Sequence, residues 1–303
     1  MRRLVTIVAF LAGIGVAAAW IVTTPKSIAA SALSPYTPNL ANGREMFYAG
    51  GCAACHATPG EQDRTKLGGG LGLKSPFGVF YAPNISSDPD DGIGRWSEAD
   101  FVTAVVHGTS PKGEHYFPAF PYVSYQRMKL DDVRDLYAFM KTLPAVKGRV
   151  RGHDVPFPFN IRRAVGGWKF LFMGDQPFQA DASKSEQWNR GAYLVNGPSH
   201  CAECHSPRNF LGGIIQSQRF GGGPDYEGGG WVPNITQKAL GDYTEDDFAY
   251  LLETGQTLKD SVGGGMVAVI RNTSQLTDAD RKAMAAYLKS LPPVDGPPRP
   301  ARK

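Results

Sequence analysis

Cys52-Ala53-Ala54-Cys55-His56 returns as Cys201-Ala202-Glu203-Cys204-His205, and these two pentapeptides decide the kind of fold the chain can have. Two cysteines three residues apart can each form a thioether with one vinyl group of a haem. The histidine that follows is then held beneath the iron as its proximal ligand. A lone C-x-x-C would also suit a redox dithiol or half a zinc site, but neither explains a histidine directly after both copies. The chain has 4 cysteines and the two motifs use all of them. None is left for a structural disulfide or for thiolate ligation of iron. The expectation is two covalently bound haem c groups, attached through Cys52, Cys55, Cys201 and Cys204, with His56 and His205 on the irons.

Outward from the motifs, the two halves of the 303-residue chain match in more than the haem signature. Tyr81-Ala82-Pro83-Asn84-Ile85-Ser86 corresponds to Trp231-Val232-Pro233-Asn234-Ile235-Thr236, and Ser97-Glu98-Ala99-Asp100-Phe101 to Thr244-Glu245-Asp246-Asp247-Phe248. Leu136 to Pro144 corresponds to Met284 to Pro292. The pieces keep their order and similar separations, so duplication of one haem domain accounts for them. The chain then divides into a signal or anchor with its tether over 1–35, a haem domain over 36–150, an aromatic-rich linker over 151–184 and a second haem domain over 185–303. Two domains also suit a chain of this length, at ~100–200 residues each.

Local signals point to helices. Ser97 and Thr244 read as N-caps with an acid three residues on, and Thr277 with Asp280 reads the same way. Phe101, Ala104 and Val105 recur at helical spacing, as do Phe248, Leu251 and Leu252. Val133, Leu136, Tyr137 and Met140 form the stripe of a final helix that Pro144 ends; Met284, Tyr287, Leu288 and Leu291 form its counterpart before Pro292. Short helices are expected near Gly43 to Tyr48 and Arg190 to Val195. No stretch reads as a strand of convincing length. The fold class is mostly α, with long loops that use many of the 36 glycines and 23 prolines. The linker carries Phe157, Phe159, Trp168, Phe170, Phe172 and Phe178, too many aromatics for a free tether. It is expected to pack across both domains, with a partner-binding surface as the alternative.

Arg2-Arg3 precedes an uncharged run from Leu4 to Thr24, long enough for the roughly 20 residues a membrane span needs. The positive end stays in the cytoplasm, which places the rest on the periplasmic side. A retained anchor is favoured, because the run exceeds the ~7–15 residues of a signal core. Ala17-Ala18-Ala19 and Ala30-Ser31-Ala32 leave signal cleavage, and hence a soluble periplasmic protein, as the alternative. The net charge of +4 has no single-sign stripe, so nothing points to nucleic acid.

Each iron needs a sixth ligand or an open position. A methionine thioether suits electron transfer because it raises the potential. Met266 lies after Gly263-Gly264-Gly265, where the backbone can approach a haem face. In the first repeat the equivalent stretch, Pro118 to Phe120, has no methionine, and Met128 is the choice. His115, His107 and an open iron remain alternatives. His153 reads as structural. His200 and Arg208 are each balanced between a contact near a propionate and an ordinary surface role, and Pro83 and Pro233 read as packing on the proximal side.

Taken together, NGREMFYAGGCAACHATPG (42–60), LGGGLGLKSPFGVFYAPNISSDPDDGIGRWSEADF (67–101), YFPAFPYVSYQRM (116–128) and RNTSQLTDADRKAMAAYLKSLPPV (271–294) resemble the cytochrome c subunit of membrane-bound alcohol and gluconate dehydrogenases of bacteria. The resemblance covers most of Asn42 to Val294. It implies two tandem class I cytochrome c domains, His/Met haems, and electron transfer from a periplasmic dehydrogenase toward quinone or another downstream acceptor. Cys52, Cys55, His56, Cys201, Cys204, His205 and Met266 match the family positions, and Met128 less closely. Those subunits usually carry three haem domains, whereas this chain has two motifs. Relay of single electrons is therefore the leading expectation, with any catalysis left to a partner. A diheme peroxidase, which needs an open or displaceable iron ligand, and a diheme subunit of a haem–copper oxidase are the alternatives.

Overall fold

The computed structural model describes residues 1–174, 177–226, 228–258 and 260–299. It is mostly helical. An apolar helix, α1 (Arg2–Val22), comes first, and none of its residues is buried. The first repeat contains α2 (Leu40–Ala49), α3 (Cys52–His56), α4 (Glu98–His107), α5 (Tyr122–Tyr125) and α6 (Leu130–Met140). The linker forms α7 (Ala164–Phe172). The second repeat contains α8 (Glu186–Asn196), α9 (Ala202–His205), α10 (Gln237–Leu240), α11 (Glu245–Thr254), α12 (Met266–Thr273) and α13 (Asp278–Lys289). Each repeat also has one small antiparallel hairpin: β1 (Gly72–Ser75) with β2 (Gly78–Tyr81), and β3 (Gly223–Pro224) with β4 (Trp231–Val232). These strands are only four and two residues long, too short for an alternating pattern to show in the sequence.

The expected caps are present, with one change. Ser97 and Thr244 each accept from the backbone N–H three residues on, and Asp100 and Asp247 accept in return from the cap N–H, so both α4 and α11 begin with a reciprocal capping box. Thr277 caps α13 in the forward direction, but Asp280 does not reach back. Its carboxylate instead takes two bonds from the Arg190 guanidinium, at 2.7 and 2.8 Å, because α8 crosses α13 there. A bidentate pair to a cation is stronger than a single backbone bond.

That crossing is the structural frame of each repeat. The helix before the haem motif packs on the final helix, α2 on α6 and α8 on α13. A glycine sits at each contact. A Cβ on Gly43 would lie 2.1 Å from the Asp135 carbonyl oxygen, and one on Gly191 would lie 1.8 Å from that of Ala283. Only a side chain of hydrogen lets the backbones approach this closely.

One apolar core runs through both repeats, including Met46, Phe47, Leu136, Tyr193, Leu252 and Met284. The Tyr193 hydroxyl donates to Asp132 across the boundary and accepts from the Lys129 N–H at 3.2 Å. The linker does touch both halves: Phe159 packs edge-on against Phe77, Trp168 donates to the Leu211 carbonyl at 2.9 Å, and Phe178 packs on Tyr193. Phe157 and Phe170 do not take part, and stay exposed.

Candidate haem sites

Both pentapeptides form a single helical turn. Gly51 opens the first at φ +59°, a left-handed conformation that turns the chain into α3. His200 stands at φ +39° just before Cys201, an unusual strain for a residue with a Cβ. The two histidines are held identically. His56 Nδ1 lies 2.8 Å from the Pro83 carbonyl oxygen, and His205 Nδ1 lies 2.8 Å from that of Pro233. A carbonyl can only accept, so each ring carries its proton on Nδ1 and leaves the Nε2 lone pair available. Burial pushes both imidazoles below the ordinary histidine pKa, with the carbonyl bond opposing in part. They stay neutral, as an iron ligand must.

The loops behind the histidines are equally matched. The His56 carbonyl accepts from Gly69 and the His205 carbonyl from Gly222, both at 2.8 Å. The Asn84 amide donates to Val146 O at 2.7 Å and the Asn234 amide to Val294 O at 2.8 Å. The proline and asparagine of the shared Pro-Asn-Ile piece thus do separate work: the proline carbonyl orients the imidazole, and the asparagine ties that loop to the chain beyond the final helix. The packing expected of the two prolines does not include this orienting bond, and the recurrence of Asn84 as Asn234 is the sequence signal for the tie.

The donor set fits a covalently held haem: paired thiols and an adjacent neutral imidazole with its second nitrogen fixed. Gly263, Gly264 and Gly265 are exposed and meet nothing within 4 Å of an added Cβ, so the stretch before Met266 is uncrowded. Met266 itself is half-buried at the first turn of α12. Met128 is placed differently, only 4% exposed in the core between α5 and α6.

The other polar candidates are drawn elsewhere. His115 is buried, with Nε2 2.9 Å from the Thr23 carbonyl oxygen at the end of α1, so that nitrogen does not serve an iron. His107 closes α4, and its carbonyl receives the Lys169 ammonium. His153 accepts from the Tyr81 N–H at 3.1 Å and packs on Phe80 and Phe117. Arg208 is spent locally, on Glu203 Oε2 at 2.7 Å and on the Glu203 and Gly212 carbonyls.

His200 is half-buried. Its ring packs edge-on against Tyr125, centroids 5.6 Å apart. The Tyr125 hydroxyl in turn donates to the Gly50 carbonyl at 2.9 Å, two residues before Cys52. Ser124 donates to Glu203, inside the second motif, at 2.8 Å. In return α12 of the second repeat packs on α2 and α3 of the first. The segment before each final helix therefore leans on the haem motif of the other repeat. Tyr125 carries no pattern in the sequence that marks it for this role, because its partners lie 75 residues away in either direction.

The cytochrome c family model matches residues 40–144 and 189–292. The chain is 45% identical over 299 residues to a protein of Cereibacter sphaeroides described as diheme cytochrome c-type, covering 97% of this chain and 100% of that one. It is 37% identical to a fructose dehydrogenase cytochrome subunit of Gluconobacter japonicus, over 95% of this chain and 58% of the relative. It is 39% identical to a cytochrome c subunit of an alcohol dehydrogenase (quinone) of Gluconacetobacter polyoxogenes, over 81% of this chain and 54% of the relative. The chain thus spans the whole of the first relative and little more than half of the other two.

Proposed function

Since the chain belongs to the cytochrome c family and carries two covalently bound haem c groups, we propose that it relays single electrons from a dehydrogenase on the periplasmic face of the inner membrane to an acceptor of the respiratory chain. In this reading the chain divides as 1–35, 36–150, 151–184 and 185–303, with haem in the second and fourth segments. Cys52, Cys55, Cys201 and Cys204 hold the porphyrins. His56 and His205 would ligate the irons, with Met266 and Met128 as the further ligands. Bound haem supplies the one-electron chemistry.

The protein's own residues position and insulate. Pro83 and Pro233 fix the tautomer and plane of the imidazoles, which raises their basicity as ligands. Tyr125, packed between the Gly50 backbone and His200, holds the two attachment loops at a fixed separation. This juxtaposition is the observation that carries the proposal: two copies of one redox site are built against each other, as a relay requires. Two of the relatives named above are cytochrome subunits of dehydrogenases, which favours the relay over a peroxidase or an oxidase subunit.

The N-terminal helix is retained as an anchor in this reading. Its 21 residues span about 31 Å at ~1.5 Å each, and its most apolar window has a mean hydropathy of 2.4. Cleavage near Ala30–Ala32 would remove Thr23, which His115 and Arg163 hold, and Ile28, whose N–H donates to Thr103 at 3.0 Å.

The test is purification of the tagged full chain from membranes of its own host. A dehydrogenase activity that co-elutes, and whose substrate reduces both haems, is the expected result. Rapid turnover of peroxide by the isolated chain would overturn the relay. The mass of the mature protein decides the anchor.

A further inference from the structure

We propose that the outer face of α7, with the aromatic loops beside it, seats in the headgroup and upper acyl region of the bilayer and lays the haem domains on the membrane next to the anchor. The inference rests on the reading of α1 as a retained span.

The inner face of α7 is fully committed. Val165 is buried, and the Lys169 ammonium donates to the His107 and Gly108 carbonyls at 2.6 and 2.7 Å, closing the end of α4. The helix therefore cannot roll. Its other side carries Phe170 and Leu171, 70% and 61% exposed. Two adjacent large apolar side chains left in water on a pinned helix call for an occupant.

Position says which occupant. Gly166 packs on the Thr23 backbone, and a Cβ on Gly167 would lie 4.0 Å from the Thr23 methyl group. Gly167, Phe170 and Leu171 share one stripe, since residues three and four apart are neighbours on a helix. The apolar stripe thus starts where α1 ends. Arg163, just before α7, lies over the Trp20 ring at 4.1 Å and donates to Thr23 Oγ1 at 2.9 Å. A tryptophan and an arginine at the end of an apolar span are the usual markers of the membrane boundary. A soluble partner would have to reach this stripe against the exit of the span, whereas lipid is already there.

The stripe is also continuous with more apolar surface. The Trp168 ring N–H bonds Leu211, and the Phe172 ring abuts Gly213, which brings in Phe210 at 87% exposed. Interfacial helices bind by burying such a face ~5–10 Å into the headgroup and acyl boundary.

The experiment uses the full chain with both haems in nanodiscs of phosphatidylcholine that carries a photoreactive diazirine on its acyl chain. Irradiation and peptide mass spectrometry are expected to place lipid adducts on α1 and also within 168–172 and at Phe210. The double variant Phe170→Glu with Leu171→Glu, both solvent-facing, is expected to lower the α7 adducts about tenfold or more while α1 adducts and haem absorbance stay unchanged. Adducts confined to α1 would overturn the seating and leave the anchor standing. A chain without α1 adducts would fail the anchor reading itself. A photoreactive residue introduced at position 170 that captures a second polypeptide in native membranes, and no lipid, would also overturn the seating.

Discussion

The two repeats agree closely beneath the haem-motif imidazoles and differ at the methionines that the proposed function places above them. Below, His56 and His205 share their proline carbonyls, their glycine bonds and their asparagine ties almost to the tenth of an ångström. Above, Met266 opens a helix after three glycines that border open space, while Met128 lies buried in the core two residues before α6. Covalent attachment and imidazole geometry tolerate little change, so duplication preserved them. In the proposed function these methionines tune the potentials, and the copies differ at them. Two haems with different distal environments can differ in potential, which gives a relay its direction.

The most damaging way to probe the shared half is at the glycine crossings. Gly43→Val and Gly191→Val each drive a side chain into a carbonyl 2.1 or 1.8 Å from where a Cβ would start. Each is expected to cost at least about 3 kcal/mol, read as a collapse in the yield of haem-stained protein and in the denaturant midpoint. If one glycine tolerated valine, the two frames would not be equivalent.

The divergent half is sharpened by Met266→Ala and Met128→Ala in a redox titration. Each is expected to lower the potential of its own haem on the order of 0.1 V, within the ~0.8 V that axial ligands span. Met128→Ala is also expected to destabilise by about 2–5 kcal/mol, because it empties a core position. Lost stability with unchanged potentials would remove Met128 from the iron.

Tyr193→Phe tests the seam between the repeats. Its hydroxyl is buried against Asp132 and Lys129, and its loss is expected to cost about 1–3 kcal/mol by leaving the Asp132 carboxylate short of a donor. The readout is the unfolding midpoint, with both haem spectra unchanged.

A pH dependence is also expected at the linker contacts. Burial lowers the His115 and His153 pKa below the ordinary value of 6.5, so the unfolded chain takes up protons that the folded one refuses, and stability falls as pH drops below that value. Burial likewise holds Lys169 at about 7 against an ordinary 10.5. Unfolding there takes up a proton between those values, and stability rises with pH across that window. Each group contributes at most about 1.4 kcal/mol per pH unit. Thermal melts between pH 5 and 9, flattened at the acid end in His115→Asn, check the sign.

The haem motifs, the caps at Ser97 and Thr244, the helices around them and the long apolar helix α1 were legible in the sequence. Each depends on residues within a few positions, whose spacing alone fixes thioether reach, a capping bond or a membrane-crossing length. What the sequence left undecided turned on partners far along the chain. Asp280 abandons its own cap for Arg190, Arg208 is consumed by Glu203, His115 turns to Thr23, and His200 packs under Tyr125 from the other repeat. A polar side chain goes to the nearest group that satisfies it once the backbone is packed, and only the tertiary structure determines which group that is.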